Sequence, residues 1–206
     1  ISKAELKDYY GAISDYTKAI ELDPNDADAY FNRAISKAEL KDYYGAISDY
    51  TKAIELDPND ADAYFNRAIS KAELKDYYGA ISDYTKAIEL DPNDADAYFN
   101  RAISKAELKD YYGAISDYTK VIELNPNDAD AYRRRGNSKL RLNDYYGAIS
   151  DCTRAIEFNP NDAAAYNNRG YAKAALKDFG GGCKDFKESI RLGSNTYRKW
   201  VSENCN

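Results

Sequence analysis

Apolar residues recur along the chain at the three- and four-residue spacing of amphipathic α-helices. In residues 27–60, two stretches (27–40 and 43–56) each carry such an apolar stripe, and two polar residues separate them. Residues 57–60 follow, where Pro58 cannot continue a helix and Asn59 or Asp60 can cap the next one. The pattern predicts two short antiparallel helices in this segment and an all-α chain.

The whole pattern repeats with a period of 34 residues. Segments 1–34, 35–68 and 69–102 are identical, and the copy from Ile103 changes at only five positions. Such short-period arrays are typical of solenoids. We expect one continuous solenoid domain with a partial unit at 1–26, full units at 27–60, 61–94, 95–128 and 129–162, a diverged unit at 163–196, and a C-terminal capping helix at 197–206.

Several positions within each unit carry a family resemblance. They are Tyr30, Ala34, Ala46, Tyr50, Ala53 and Pro58, with Gly136, Gly170 and Trp200 in the later units. In these residues and in its period the chain resembles the tetratricopeptide repeat (TPR) family. The resemblance implies a right-handed α-solenoid, the TPR superhelix, whose first helices line a concave face that binds an extended peptide. Two positions depart from the family, because Arg33 and Lys37 stand where a Leu and a Tyr are usually buried.

A regular charge pattern offers a reason for the first departure. Every full unit with an Arg in its first helix has an Asp sixteen residues later. We interpret these as structural ion pairs, in which the Arg stem covers apolar surface and the guanidinium is satisfied by a carboxylate. The predicted pairs are Arg33 with Asp49, Arg67 with Asp83, Arg101 with Asp117, Arg135 with Asp151, and Arg169 with Asp185.

The first candidate site is an apolar strip on the first helices, edged by acidic residues. It combines the Phe and Ile positions that recur every 34 residues with the acidic positions on either side, and it suits a basic amphipathic partner. The alternative is that the Phe side chains pack between neighbouring units. The candidate residues are Asp28, Phe31, Ile35, Glu39, Phe65, Ile69, Phe99 and Ile103.

The second candidate site is a cationic region beyond residue 128. It resembles the dicarboxylate clamp of chaperone-binding TPR domains, which implies that Arg133, Asn137, Asn168 and Arg198 hold an acidic peptide end. The fifth clamp position is Ser202 here, and Asn at these positions also serves helix ends. Nucleic-acid binding is the other interpretation, but a pI near 4.9 argues against it. The candidate residues are Arg133, Arg134, Asn137, Arg141, Asn167, Asn168 and Arg198.

Composition narrows the function further. The net charge of −6 divides into −11 over residues 1–128 and +5 over residues 129–206. His is absent, which removes the usual general base and the commonest metal ligand. We therefore expect no enzymatic activity and no cofactor or metal. No apolar run is long enough to span a bilayer and no secretory signal is evident, so we expect a cytoplasmic protein without membrane contact.

The three cysteines are too few for a disulfide framework, which fits a reducing compartment. Cys152 and Cys183 fall in apolar columns and are predicted to be small core residues. Cys205 comes within reach of Cys183, although nothing in the sequence requires a bond. The Gly180-Gly181-Gly182 run has no phosphate-loop context and predicts a loosened or closely packed final helix.

Two functions remain open at the level of sequence. The first is a scaffold that binds a protein or peptide segment in a concave groove. The second is a structural array, natural or engineered, whose main property is self-association. The chain lacks Met and begins inside a first helix, so we expect an upstream array, or a homo-oligomer formed through the exposed N-terminal unit.

Overall fold

A computed structural model describes residues 8–205, and within them every regular element is a helix. Most helices have 13 or 14 residues, and the last has seven. The predicted all-α architecture is confirmed. The helices are α1 (Tyr9–Leu22), α2 (Ala27–Glu39), α3 (Tyr43–Leu56), α4 (Ala61–Glu73), α5 (Tyr77–Leu90), α6 (Ala95–Glu107), α7 (Tyr111–Leu124), α8 (Ala129–Arg141), α9 (Tyr145–Phe158), α10 (Ala163–Ala175), α11 (Phe179–Arg191) and α12 (Arg198–Asn204).

Aspartates begin the helices on both sides of each hairpin. Asp60 accepts a hydrogen bond from the Ala63 backbone N–H at 3.0 Å, which resolves the choice between Asn59 and Asp60 as the cap. Asp42 caps α3 in the same way through the Gly45 N–H. Between α2 and α3 the chain reverses at Lys41, which adopts a left-handed backbone with φ of 62°. The local sequence therefore specifies where each helix starts and stops.

The chain forms two compact units, residues 1–104 and 105–206, with the boundary inside α6. In the first unit, α1 to α5 pack consecutively, and the first helices α2 and α4 also contact each other. Its core repeats a small cluster of Ala34, Ala46 and Tyr50 in the next hairpin as Ala68, Ala80 and Tyr84. The expectation of one continuous domain stays a prediction.

In the second unit, α7 to α12 pack consecutively, and the first helices α8 and α10 contact each other. Gly136 and Gly170 replace the core alanines of the first unit and face Cys152 and Phe186. Gly182 is buried, and a Cβ there would lie 3.1 Å from the Gly170 carbonyl oxygen. The last helix pair is therefore closely packed, which is one of the two predicted outcomes for the glycine run.

Four of the five predicted ion pairs form in the described residues, and each of the four includes two partners that the sequence pattern did not reveal. Arg33 donates from Nε and Nη2 to Asp49, both at 2.8 Å, and Lys37 Nζ lies 2.7 Å from the same carboxylate. Arg33 Nη1 also donates to Thr17 Oγ1 of the preceding hairpin at 3.1 Å. Lys37 thus departs from the family pattern because it shares the buried Asp49 with Arg33.

The same arrangement recurs in three further hairpins. Each has a bidentate Arg–Asp pair, a second bond to the Asp from the Lys four residues after the Arg, and a bond from the Arg to a preceding Thr. The three recurring groups are Arg67 with Asp83, Lys71 and Thr51, then Arg135 with Asp151, Lys139 and Thr119, and finally Arg169 with Asp185, Lys173 and Thr153.

The aspartates of these networks lie inside the hairpins. Asp151 is 3% exposed and accepts a hydrogen bond from Arg135 Nη2 at 2.7 Å. Asp185 is 2% exposed and accepts the equivalent bond from Arg169 Nη2, also at 2.7 Å. Both carboxylates therefore belong to the scaffold and are not free to receive a cation of a partner. Arg101 and Asp117 belong to different compact units, and their pairing stays a prediction.

The C-terminal segment folds over α11 as expected, but its cysteines differ from the prediction. Trp200 meets the Phe186 ring edge-to-face at 5.0 Å. Cys183 is half-buried and forms a disulfide with Cys205, so its assignment as a core residue was wrong. The reason is tertiary, because α12 packs on α11 and brings the two Cα atoms to 5.6 Å.

Cys152 is a core residue as predicted. It is fully buried, and burial raises the pKa of its thiol to about 12. Disulfides are uncommon in reducing compartments. The Cys183–Cys205 bond therefore does not support the expected cytoplasmic location, which stays an expectation. Within residues 8–205, no helix is both long and apolar enough to cross a bilayer.

Candidate functional sites

The first helices of the first unit enclose a groove of about 410 Å³. Ile35 and Ala38 of α2 and Ile69 of α4 supply its apolar surface, and Glu39 and Glu73 lie beside them. All three apolar side chains are half-buried, whereas both glutamates are exposed. Lys41 also lines the groove, so two carboxylates and one ammonium group form its charged edge. The groove therefore combines an apolar surface with a rim of net negative charge, called the acidic rim below.

Tyrosines from the neighbouring second helices contact the acidic rim. The Tyr9 hydroxyl donates to Glu39 Oε2 at 3.2 Å, and the Tyr43 hydroxyl lies 3.5 Å from Glu73 Oε2. These contacts hold one oxygen of each carboxylate on the tyrosine side. The other oxygen and the negative charge remain available to a cationic partner.

Phe31 and Phe65 of the predicted ladder are half-buried, pack against the hairpin cores and do not line this groove. Phe31 packs edge-to-face on Tyr50 with ring centroids 5.7 Å apart, and Phe65 packs on Tyr84 at 5.8 Å. Each ring contact is within one hairpin rather than between neighbouring units, and a role of the Phe side chains in binding stays a prediction. Ile35 and Ile69 remain as the predicted apolar residues that line the groove.

The remaining residues of the first candidate set lie on the first helices. Asp28 is exposed, and its carbonyl oxygen accepts a hydrogen bond from Asn32 Nδ2 at 2.7 Å. Phe99 and Ile103 are half-buried positions of α6. Asn32 therefore stabilises its own helix, which agrees with the alternative role considered for Asn at these positions.

A second pocket, of about 430 Å³, lies in the second unit. It brings together three residues of the cationic candidate set, Asn137, Arg141 and Asn168. Four further lining residues were missed by the sequence analysis: Leu140, Asn143, Tyr171 and Tyr197. A guanidinium surrounded by amides and phenols can hold a carboxylate through charge-assisted hydrogen bonds.

Two arginines of the second candidate set are already bound by carboxylates of the protein. Arg133 donates to Asp130, and its Nε lies 3.0 Å from a carboxylate oxygen of Asp162, the cap of α10. Arg134 Nε donates to Asp130 at 2.9 Å. Asp130 lies three residues before Arg133 and four before Arg134 in the sequence. Side chains at these spacings meet on a helix, which indicates that Asp130 neutralises the two arginines.

The other two members of that set are also outside the pocket lining. Arg198 is an exposed residue of the short helix α12. Asn167 Nδ2 donates to Ser194 Oγ at 2.8 Å, and its Oδ1 is buried without a hydrogen-bond partner. Arg141 is therefore the cation that the second unit places in the pocket.

The two pockets occupy equivalent positions in the repeat but differ in charge. The column of Ile35 and Ile69 becomes Asn137 and Tyr171 in the second unit, and the column of Glu39 and Glu73 becomes Arg141 and Ala175. The 34-residue register alone would have identified Tyr171 as a lining residue. Tyr197 lies outside the repeat, so no periodic pattern could have assigned it.

Among residues 8–205, no group of three or more Asp, Glu, His or Cys side chains is arranged to hold a metal ion. Paired helical hairpins with first helices side by side, and grooves between those helices, define an α-helical repeat protein.

Comparison with family profiles identifies the repeat. The profile described as tetratricopeptide repeat matches residues 27–60, 61–94, 95–128 and 129–162, and a profile described as TPR repeat matches residues 3–40. The chain belongs to the tetratricopeptide repeat family. Proteins of this class are interaction scaffolds, and that general role is assigned to this chain. A comparison with curated protein sequences finds no match.

Solved structures agree with the family assignment. YrrB, described as a TPR protein with an unusual peptide-binding site, superposes with a TM-score of 0.80 at 23% identity, over 91% of this chain and 97% of that chain. MamA gives a TM-score of 0.78 at 24% identity, with 84% and 94% coverage. MamA from Desulfovibrio magneticus RS-1 gives 0.77 at 20%, with 81% and 94% coverage. These likenesses confirm the TPR fold.

Proposed function

We propose that the chain binds an extended, basic and amphipathic peptide segment in the groove of its first unit. The observation that carries this proposal is the pairing of Ile35 and Ile69 with Glu39 and Glu73 around one groove. Apolar side chains of the partner bury against the isoleucines, which supplies affinity. Lys or Arg side chains of the partner meet the two carboxylates, which sets orientation and register.

The charge distribution favours the same class of partner. Residues 1–128 carry 15 basic and 26 acidic side chains, so the region around the groove attracts a cationic segment. The peptide-binding site named in the description of YrrB provides a precedent for peptide recognition on this fold.

A charge-reversal experiment tests this function. Binding of a synthetic peptide of alternating Leu and Lys character is measured by calorimetry for the native chain and for the double variant Glu39→Lys/Glu73→Lys. We expect affinity to fall by about 10-fold or more in this variant, because the peptide cations then face like charges. The matched control is Glu55→Lys/Glu89→Lys, which changes net charge equally at exposed positions of α3 and α5.

The control is expected to retain affinity within about 2-fold. Glu55 and Glu89 do not line the groove, so salt screens their effect on the bound peptide. Equal losses in both double variants would show that binding follows net charge alone, and would contradict a site at the groove.

The pocket of the second unit supports a second peptide site of opposite charge. We infer that Arg141, with Asn137 and Asn168, receives a terminal carboxylate of an acidic peptide. Arg141 then takes the role that the sequence analysis gave to Arg133 and Arg198. Arg141→Glu is expected to abolish binding of a peptide that ends in two acidic residues. Arg154→Glu, an exposed residue of α9, is the matched control, and equal loss there would remove this proposal.

Self-association is the alternative function, and we propose light scattering as its test. Mass that increases with concentration would support it, and a constant monomer mass over the accessible concentration range argues against association.

A further inference from the structure

The last helix cannot be stable on its own. α12 has seven residues, none of them buried, and its N-cap Tyr197 makes no side-chain capping bond. Isolated helices of this length do not persist in water, because nucleation is unfavourable and few bonds follow it. The position of the closing segment, defined here as residues 197–205, therefore depends on what attaches it to α11.

Three kinds of contact attach the closing segment. The Cys183–Cys205 disulfide joins its end to α11. The Phe186 ring stacks on Tyr197 with centroids 4.1 Å apart and meets Trp200 at 5.0 Å. Lys187 Nζ donates to the Cys205 carbonyl oxygen at 3.0 Å. Of these three contacts only the disulfide is covalent. It therefore keeps Cys205 beside α11 even when the aromatic contacts and the hydrogen bond are broken.

The closing segment also forms part of the second pocket. Tyr197, which stacks on Phe186, lines the same pocket as Arg141, Asn137 and Asn168. Displacement of the segment would remove this wall from the pocket. The pocket residues on α8 and α10 belong to the repeat and do not depend on the disulfide for their position.

We propose that the Cys183–Cys205 disulfide is a redox-sensitive latch that holds Tyr197 in the wall of the second pocket. Reduction releases the closing segment and opens the pocket on that side. The consequence for ligand binding rests on the second peptide site proposed above, whereas release of the segment does not. The latch thus adds redox regulation to a pocket whose lining residues on α8 and α10 keep their positions.

The chemical step is thiol–disulfide exchange with a dithiol reductant. One thiolate of the reductant attacks a sulfur of the Cys183–Cys205 bond, which breaks and leaves a mixed disulfide. The second thiol of the reductant then displaces that sulfur and closes a cyclic disulfide. The protein gains two electrons and two protons as two thiols, and the reductant loses them. Both cysteines are partly exposed, in contrast to the buried Cys152, so the reductant has access to them.

The single Trp of the chain reports on the latch directly, because it is Trp200 of the closing segment. Fluorescence and amide hydrogen exchange are measured on the full chain before and after treatment with dithiothreitol. On reduction we expect Trp200 emission to move to longer wavelength and acrylamide quenching to increase. Amides of α12 should exchange about 100-fold faster, while the far-ultraviolet circular dichroism retains its helical form.

Two variants separate the latch from general effects of the reductant. Cys205→Ser is expected to show the released state without reductant and no further response to it. Cys152→Ser removes the buried thiol and is expected to respond as the native chain does. Unchanged Trp200 emission and exchange on reduction would show that the aromatic contacts hold the segment alone, and would overturn the proposal.

The connection to the pocket is tested separately by NMR of the Asn137 and Asn168 side-chain amides. Both should shift on reduction and match their positions in Cys205→Ser. Release of the segment with unchanged amide resonances would overturn the role of the latch at the pocket. A peptide with two terminal acidic residues that binds neither redox form would contradict the second peptide site, while the fluorescence and amide results would still decide the latch.

Discussion

At the scale of single residues, the most constrained positions are the aspartates that receive two cations. Asp83 is 4% exposed and accepts two hydrogen bonds of 2.8 Å from Arg67 and one contact of 2.7 Å from Lys71. Arg67 also donates to Thr51 of the preceding hairpin at 3.0 Å. Such a network costs desolvation energy but permits only one arrangement of the helices that contribute to it.

Removal of one member of this network should be far more damaging than removal of an exposed charge. Asp83→Ala leaves two cations without their carboxylate, and we expect the free energy of unfolding to fall by about 3 kcal/mol. Glu89→Ala removes an exposed pair with Lys86 and should cost less than about 1 kcal/mol. Urea denaturation measures both, and similar losses would refute the structural importance of the buried network.

The buried tyrosines predict a loss of stability at alkaline pH. Burial raises the pKa of Tyr118 to about 12, in spite of an opposing effect of Arg134, and it raises the pKa of Tyr84 as well. In the unfolded chain tyrosine ionises near its ordinary value of 10.0. The unfolded state therefore releases its protons first, so this stability is complete below about pH 10 and declines as pH rises toward 12.

The measurement is urea denaturation at a series of pH values up to the folded-state pKa. Between about pH 10 and pH 12, each buried tyrosine should lower the free energy of unfolding by about 1.4 kcal/mol per pH unit. Tyr84→Phe should reduce the slope, whereas Tyr44→Phe, at a position 77% exposed, should leave it unchanged. A slope that Tyr84→Phe does not alter would contradict the assignment.

At the scale of helices and loops, the left-handed residue between the two helices of a hairpin is the recurring local feature. Lys41, Lys75, Lys109, Asn143 and Lys177 all have φ between 60° and 66°. The helix ends just before each of them, and for Lys75 the backbone N–H bonds to the Ala72 carbonyl at 2.8 Å. A side chain is unfavourable in this conformation, and glycine is the residue that adopts it freely.

Lys75→Gly is therefore expected to stabilise the first unit by about 0.5–1 kcal/mol, since the strain at φ of 63° is removed. Lys86→Gly, inside α5, is the matched substitution and should destabilise by about 1 kcal/mol. Thermal denaturation of the two variants gives shifts of opposite sign if this interpretation is correct.

The glycine run of α11 gives a second prediction at this scale. A Cβ at Gly180 would meet no atom within 4 Å, whereas a Cβ at Gly182 would lie 3.1 Å from the Gly170 carbonyl oxygen. We expect Gly180→Ala to raise the free energy of unfolding by about 0.5–1 kcal/mol through helix propensity. Gly182→Ala should lose this gain or destabilise, because two backbones must separate. Equal stabilisation by both substitutions would show that α10 and α11 are not closely packed at Gly182.

At the scale of the whole molecule, the two units combine one repeat with opposite charges. Residues 1–104 have a net charge of −9 and residues 105–206 a net charge of +3. The same register that places Glu39 and Glu73 at the groove of the first unit places Arg141 at the pocket of the second. The repeat thus supplies similar surfaces, and a few substitutions change their charge. In our proposal this difference determines which peptide each surface favours.

This arrangement predicts how binding depends on salt. Raising ionic strength from about 0.05 M to 0.5 M should weaken binding of the basic peptide by about 10-fold, because the charge attraction is screened. A peptide with Gln in place of Lys should bind weakly and show little dependence on salt. Calorimetry at several salt concentrations provides the measurement, and a flat response for the basic peptide would exclude the acidic rim as its partner.

The sequence determined those features that depend on local spacing. The 3.6-residue periodicity, the aspartate caps and Pro58 define the helices, and the sixteen-residue separation of Arg33 and Asp49 predicts their ion pair. These features follow from sequence because each helix is amphipathic on its own and each hairpin contacts mainly its neighbours along the chain. The column register likewise identified Ile35, Ile69 and Arg141 as groove residues.

Only the tertiary structure decided which polar groups neutralise one another and which face a groove. Phe31 turns onto Tyr50, Arg133 meets Asp162 of the next hairpin, and Tyr197 with Cys205 returns over α11. Each outcome depends on how one helix lies against another, and a helix leaves several side-chain directions open until its neighbour excludes all but one. Periodicity specifies the helices and their order, whereas packing between them selects the surface that remains for a partner.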